Sequence, residues 1–190
     1  MSLQDMTDTA EAKWSPYFND YLEYYQRNKF DDSAVMAAFE DTDGVLNSYP
    51  DQRRAFIVSL LRYNVVPEYM MSVLGLTLEI CQDTENTDSP TLFWDAFAAL
   101  YIGSLEGIDD GGSDADGLLT WSIANNRARQ FNTQNDNFLA EINEEGVDLF
   151  FAGQSELERK DCVNFEKTAS RVLHLMLLPL IQSTIWYAIR

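Results

Sequence analysis

The chain has 190 residues, a hydrophobic fraction of 46% and a formal net charge of −18, from 13 Lys and Arg against 31 Asp and Glu. This length suffices for one domain with a sizeable core, and the hydrophobic fraction argues against global disorder. The negative charge repels phosphate backbones and anionic lipids, so we expect no nucleic-acid binding. It favours metal cations or a basic protein as partners. We therefore expect a single domain over residues 1–190.

Neither end of the sequence predicts a signal peptide or a membrane span. Residues 1–9 are polar and lack the apolar stretch of a signal peptide, and we expect them to form a disordered leader. The apolar run 172–189 approaches the length of a membrane span, but His174, Pro179 and three further polar residues interrupt it. This run therefore predicts a buried core helix and no membrane span.

Cys81 and Cys162 are the only cysteines and belong to no zinc-binding pattern. A disulfide in an oxidising compartment and two buried thiols are both open on the sequence alone.

Helical periodicity dominates the first half of the chain. Residues 10–28 place aromatic side chains at spacings of three and four, which predicts a helix with an aromatic core stripe. Further helices are predicted over 34–39, from Pro50 onwards, and over 69–81. Pro67 predicts a break between the last two, because proline removes a backbone donor and clashes with the preceding turn.

The second half is predicted to be helical as well. Ser89-Pro90 is a favourable start for a helix that reaches Tyr101, and further helices are predicted over 118–131, 137–151 and 157–189. Strand signals are sparse, because no hairpin turn and no clean alternation are present. The prediction is an all-α, single-domain helical bundle of about seven or eight helices with a glycine/aspartate-rich loop.

That loop follows Tyr101 and is the most unusual part of the sequence. No Lys, Arg or His lies between Arg62 and Arg127. Like charges repel unless a cation or ample water relieves them. Two interpretations stay open: a solvated acidic surface, or an oxygen-donor site for a hard cation on a glycine backbone that lets carboxylates converge. The loop does not match an EF-hand. Its carboxylates are Glu106, Asp109, Asp110, Asp114 and Asp116.

Other chemistries find few candidates. The single histidine, His174, stands among apolar residues and predicts a buried core histidine. No phosphate-binding loop, dinucleotide fingerprint or nucleophile elbow is present, so we expect no enzyme activity. Arg127 and Arg129 are the first cations after the anionic stretch. They either neutralise neighbouring carboxylates or hold a small anion beside a metal.

Three segments together carry a resemblance to a known family. They are 99–107 with the loop that follows, 124–133, and Asp161-Cys162 with 178–188. Over residues 90–190 the chain resembles the algal Fe-assimilation or low-iron-inducible periplasmic protein family, which includes the diatom phytotransferrins. Ala128 and Gln134 stand where the family pattern has cysteines, and Gln130 stands in place of an asparagine, so the local disulfide of that pattern is not expected.

The resemblance implies a non-enzymatic protein that captures Fe(III) at the cell surface or in the periplasm, with carbonate as a synergistic anion. It implies Arg127 as the anion-binding residue. The implied metal ligands are Tyr101, Glu106, Asp109, Asp110, Asp114 and Asp116.

A second hypothesis accounts for the charge without any metal. In it the chain is an acidic helical interaction module that binds a basic protein. A third hypothesis, a hydrolase or redox enzyme, requires a pocket with perturbed acid–base groups, for which one histidine is a poor start.

Overall fold

The computed structural model describes residues 23–24, 30–40, 49–83, 85–86, 88–103 and 119–189. The chain divides into two compact units, Met1–Ser72 and Val73–Arg190. The single domain over 1–190 stays a prediction, and the leader 1–9 lies outside the described residues. Of the aromatic stripe predicted over 10–28, Tyr24 is the one aromatic member that is described, and its side chain is 80% exposed.

The helices of the first part of the chain begin near the predicted places. Helix α1 is Phe30–Glu40, and helix α2 is Pro50–Leu60, with Pro50 in its first turn, where the missing N–H costs nothing. Helix α3 is Val66–Gln82, and the boundary between the two units falls within it.

The helix break predicted at Pro67 is wrong. A single π-helical turn, Leu61–Val65, joins α2 to α3, and the N–H of Val66 donates to the carbonyl of Leu61. In a regular α-helix the Pro67 ring would clash with the carbonyl four residues before it. The wider turn moves that carbonyl aside, so the chain continues as one helix from Pro50 to Gln82.

In the part of the second unit that the structure describes, there are four further helices. Helix α4 is Pro90–Ile102, α5 is Thr120–Phe131, α6 is Glu141–Glu158 and α7 is Cys162–Ala188. No strand occurs in the described ranges, where an isolated bridge pairs Gln134 with Ala140. The all-α class is thus confirmed. The full count of helices and the glycine/aspartate loop stay predictions.

Two of the predicted helix starts in this unit are wrong by several residues. Helix α6 begins at Glu141 rather than at 137, because the side chain of Asn135 accepts hydrogen bonds from the N–H groups of Asn137 and Leu139 and holds this stretch in a turn. Helix α7 begins after Asp161, whose carboxylate caps it by accepting from the N–H of Asn164 at 3.3 Å.

Helix α7 contains most of the apolar run 172–189. Val172, Leu175 and Met176 are buried on one face, as predicted for a core helix, whereas the opposite face is exposed. None of the described helices combines the length and apolar character that a membrane crossing requires.

The core of the second unit is organised around Trp94 on α4. Its ring stacks on Phe97 at 5.6 Å and meets Phe150 and Phe165 edge-on at 5.7 Å and 5.1 Å. Its indole N–H donates to the carbonyl of Phe150 at 2.9 Å. Such aromatic pairs contribute about 0.5–1.5 kcal/mol each beyond area burial.

Trp94 fits only because α6 has a glycine opposite it. A Cβ atom at Gly153 would lie 2.6 Å from Cζ2 and 2.8 Å from Cε2 of the Trp94 indole. The indole is 1% exposed and held by its hydrogen bond, so it cannot turn away.

Cys81 and Cys162 form a disulfide within the second unit, which resolves the alternatives left open by the sequence. The bond ties the end of α3 to the first residue of α7.

We predict that Gly153→Ala destabilises the second unit by about 1–3 kcal/mol, because the added methyl group overlaps Trp94. Gly146→Ala on the same helix is the matched control. Its Cβ would have its nearest contacts at 3.9 Å, and helix propensity favours alanine by up to about 1 kcal/mol. Urea unfolding of both variants checks this, and equal stabilities would contradict the packing described for Trp94.

We predict that replacing both cysteines by serine lowers the free energy of unfolding by about 4 kcal/mol. The bond spans a sequence separation of 81 residues, and closing so long a loop restricts the unfolded chain strongly. Urea unfolding of the wild type with and without reductant, beside the double variant, measures the effect. A wild type unaffected by reduction would refute it.

Candidate functional site

The candidate site is the acidic loop between α4 and α5. Its five carboxylates lie within 104–118, outside the described residues, so the convergence of Glu106, Asp109, Asp110, Asp114 and Asp116 stays a prediction. Both ends of the loop are described. Helix α4 ends at Ile102, and the next residue, Gly103, has a φ of 72°, in the left-handed region that glycine adopts without strain.

A buried asparagine on α6 holds the two ends of the loop. The Oδ1 atom of Asn143 accepts from the hydroxyl of Tyr101 at 3.1 Å, close to where α4 ends. Its Nδ2 atom donates to the carbonyl of Trp121, in the first turn of α5, and to Oδ1 of Asn125, both at 3.0 Å. Asn143 is fully buried, so these bonds replace water completely. The points where the chain leaves α4 and enters α5 are thus fixed through one side chain.

Tyr101 was predicted as a metal ligand, and the structure places its hydroxyl against the side chain of Asn143. Its ring is fully buried and packs edge-on against Phe150 at 5.4 Å. Desolvation, with a smaller contribution from the negative charge of Glu145, raises the pKa of the phenol well above its ordinary value. A ligand phenolate would have to give up both this burial and the hydrogen bond to Asn143.

Arg127, the anion-binding residue that the resemblance implies, is a buried residue of α5. It is 6% exposed, and its Nε and Nη1 atoms have no hydrogen-bond partner among the described residues. Its guanidinium carbon lies 5.9 Å from the ring centroid of Trp186 and 5.4 Å from that of Tyr187. A cation–π contact contributes about 2 kcal/mol when desolvated, whereas burying an ion costs several kcal/mol. The rings alone therefore do not offset the burial of this charge.

Arg129 and His174 do not contribute to such a site. Arg129 is exposed and contacts Asn126 at 3.5 Å. His174 is exposed rather than buried, so that prediction is wrong. It lies on the solvent face of α7, where its Nδ1–H donates to the carbonyl of Ser170 at 2.7 Å.

Sequence reasoning missed Asn143, although a signal for it exists. The buried positions of α6 follow a spacing of three and four, and the asparagine occupies one of them. A polar residue in a buried helical stripe indicates a hydrogen-bonded partner across the interface. The same reasoning did not identify the rings of Trp186 and Tyr187 that flank Arg127.

Within the described ranges, no group of three or more His, Cys, Asp or Glu side chains is placed to hold a metal ion. No protein-family model matches the chain, and no curated protein or solved structure matches it significantly. The resemblance to the algal iron-assimilation family stays a prediction.

We predict that Tyr101→Phe lowers the free energy of unfolding at neutral pH by about 1 kcal/mol, because the Asn143 oxygen loses its donor. The folded state holds the Tyr101 proton more tightly than the unfolded chain, in which the pKa is near 10.0. The contribution of the phenol is therefore complete below this value and is lost as the pH rises above it.

Urea unfolding of the wild type and of Tyr101→Phe, at neutral pH and again above the ordinary tyrosine pKa, measures both effects. The difference in stability between the two proteins should shrink at the alkaline pH. A pH-independent difference would contradict a buried, protonated phenol.

Proposed function

We propose that the chain is a non-enzymatic protein that captures Fe(III) through the carboxylates of the loop 104–118, with a carbonate anion held by Arg127. The observation that carries the proposal is the buried, incompletely paired guanidinium described above. A planar oxyanion suits it, because the fork of arginine donors matches two oxygens at once.

The order of the elements supports this pairing of loop and arginine. The loop leads directly into α5, and Arg127 lies about 10 Å along the helix axis from Thr120, from a rise of about 1.5 Å per residue. A metal held by the loop and an anion held by Arg127 would share one region of the second unit. Oxygen donors of this kind suit hard cations such as ferric iron.

In this proposal the charge on the metal is neutralised mainly by Glu106, Asp109, Asp110, Asp114 and Asp116. Tyr101 joins the ligands only when the metal displaces its proton, and a tyrosinate-to-iron absorption band reports that event. Carboxylates must be deprotonated to bind, so iron is released as the pH falls.

We further propose an extracytoplasmic location, at the cell surface or in the periplasm. The disulfide between Cys81 and Cys162 supports it, because such bonds persist in oxidising compartments and are rare in the cytosol.

We predict that ferric citrate with bicarbonate raises the melting temperature of the protein by about 5 °C or more once the metal is well above its dissociation constant. Arg127→Gln should abolish the dependence of this shift on bicarbonate, whereas Arg129→Gln, an exposed arginine on the same helix, should leave it intact. Differential scanning calorimetry with and without bicarbonate measures both.

Two outcomes would overturn the proposal. One is the absence of any metal-dependent shift in the wild type. The other is an unchanged shift after the loop carboxylates are replaced by their amides, which would place the metal elsewhere.

A further inference from the structure

The connection between α5 and α6 is a short, firmly hydrogen-bonded turn. The N–H of Phe138 donates to the carbonyl of Asn135 at 3.0 Å, and the N–H of Asn135 donates to the carbonyl of Leu139 at 2.8 Å. The side chain of Gln134 donates to the carbonyl of Phe138 at 2.6 Å. Every bond in this set holds the backbone around Phe138 in one conformation.

That conformation is unfavourable for phenylalanine. The φ angle of Phe138 is 61°, in the left-handed region. When the residue at the end of a tight turn has a left-handed backbone conformation, it is usually glycine or asparagine. A larger side chain in that conformation crowds the backbone. The sequence therefore places a bulky aromatic residue where the turn favours glycine.

Folding of the chain does not offset this strain by burying the ring. Phe138 is 79% exposed, so little of its apolar surface leaves water. Strained residues of this kind occur where a side chain is required for contact with something else.

The surroundings of Phe138 are acidic. No Lys, Arg or His occurs from residue 130 to residue 158. Asp136 is exposed and lies in the same turn. The N–H of Glu141 donates to the carbonyl of Thr133 at 3.3 Å, at the start of this connection. The carboxylate of Glu144 accepts a hydrogen bond from the side chain of Asn135 at 3.2 Å. Both glutamates are exposed and lie in the first turn of helix α6, directly after the connection that holds Phe138.

We propose that Phe138 and the carboxylates of Asp136, Glu141 and Glu144 form a contact surface for a protein partner whose apolar pocket is rimmed by Lys and Arg. The ring supplies the buried anchor, and the carboxylates supply orientation and attraction at long range. In this proposal the surface is the place where a basic partner binds. The binding does not require a bound metal.

The stability arm of the test uses Phe138→Asn. Asparagine adopts the left-handed region more readily, so the melting temperature should rise by about 2 °C or more. A lower melting temperature would show that the ring contributes to folding and would overturn the proposal.

The binding arm selects random phage-displayed peptides on the full-length protein. Peptides that combine Lys or Arg with apolar residues should be enriched on the wild type. Phe138→Asn should weaken binding of the corresponding synthetic peptides by about tenfold or more, whereas Phe151→Ala, which removes an exposed phenylalanine from α6, should not. Replacing the three carboxylates by amides should weaken the binding and remove its salt dependence.

Each contrary outcome overturns the proposal. These are peptides that bind Phe138→Asn as well as the wild type, selected peptides that are acidic, and binding to phosphatidylcholine vesicles that depends on Phe138. The last would assign the ring to a lipid surface instead of a protein.

Discussion

The fully buried amide of Asn143 links three helices around the candidate site. It joins α6 to the end of α4 through Tyr101 and to the start of α5 through Trp121 and Asn125. A buried hydrogen bond contributes only about 1 kcal/mol to stability, but a buried polar group left without a partner costs about 1–3 kcal/mol. The network therefore stabilises one arrangement chiefly by making every other arrangement expensive. Because its partners stand at both ends of the acidic loop, the loop leaves and re-enters the helices at defined points, whatever path it follows between them.

Charge is distributed unevenly around this framework. Five carboxylates lie in the loop with no basic residue between Arg62 and Arg127, while Arg127 itself is buried and its Nε and Nη1 atoms are unpaired among the described residues. A loop carboxylate that paired directly with Arg127 would relieve one negative charge and leave four. In the proposed site, a trivalent cation bridged to Arg127 by a carbonate dianion would leave a net charge of about −3 instead of about −4, and it would hold several carboxylates around one ion. The loop and Arg127 therefore act together in the proposed function.

The sequence predicted the parts of the fold that depend on local chemistry. Pro50 and Pro90 mark helix starts, and the apolar run from Val172 lies in helix α7, one face of which is buried. These features are decided within a few residues. The class of the fold followed from them, since no segment showed the alternation of a strand.

The features that the sequence could not predict depend on distant partners or, at Pro67, on an unusual helical turn. Pro67 was expected to end a helix, but a π-turn before it absorbs the clash. Tyr101 was expected to be a ligand because it precedes the acidic loop, yet an asparagine 42 residues later occupies its hydroxyl. His174 was expected in the core, but the rotation of α7 that buries Val172 and Met176 turns the histidine to solvent. The misplacement of His174 came from judging a side chain by its neighbours in sequence rather than by the helices packed against α7, whereas the error at Pro67 came from a local π-turn that the sequence does not mark.

Arg127 and Phe138 are both poorly explained by folding alone, and they differ in kind. Arg127 is a buried charge whose described contacts do not compensate its lost hydration, whereas Phe138 is an exposed ring on a strained backbone. Local rules that fail in an otherwise consistent structure are expected at functional positions. A buried guanidinium favours an anion, whereas an exposed phenyl ring favours an apolar surface, so one ligand would not satisfy both. Arg127 lies within α5 beside the end of α7, and Phe138 lies in the turn that follows α5. A small ion bound at Arg127 would therefore leave Phe138 accessible, and the proposed capture of an ion and the proposed contact with a basic protein are separable.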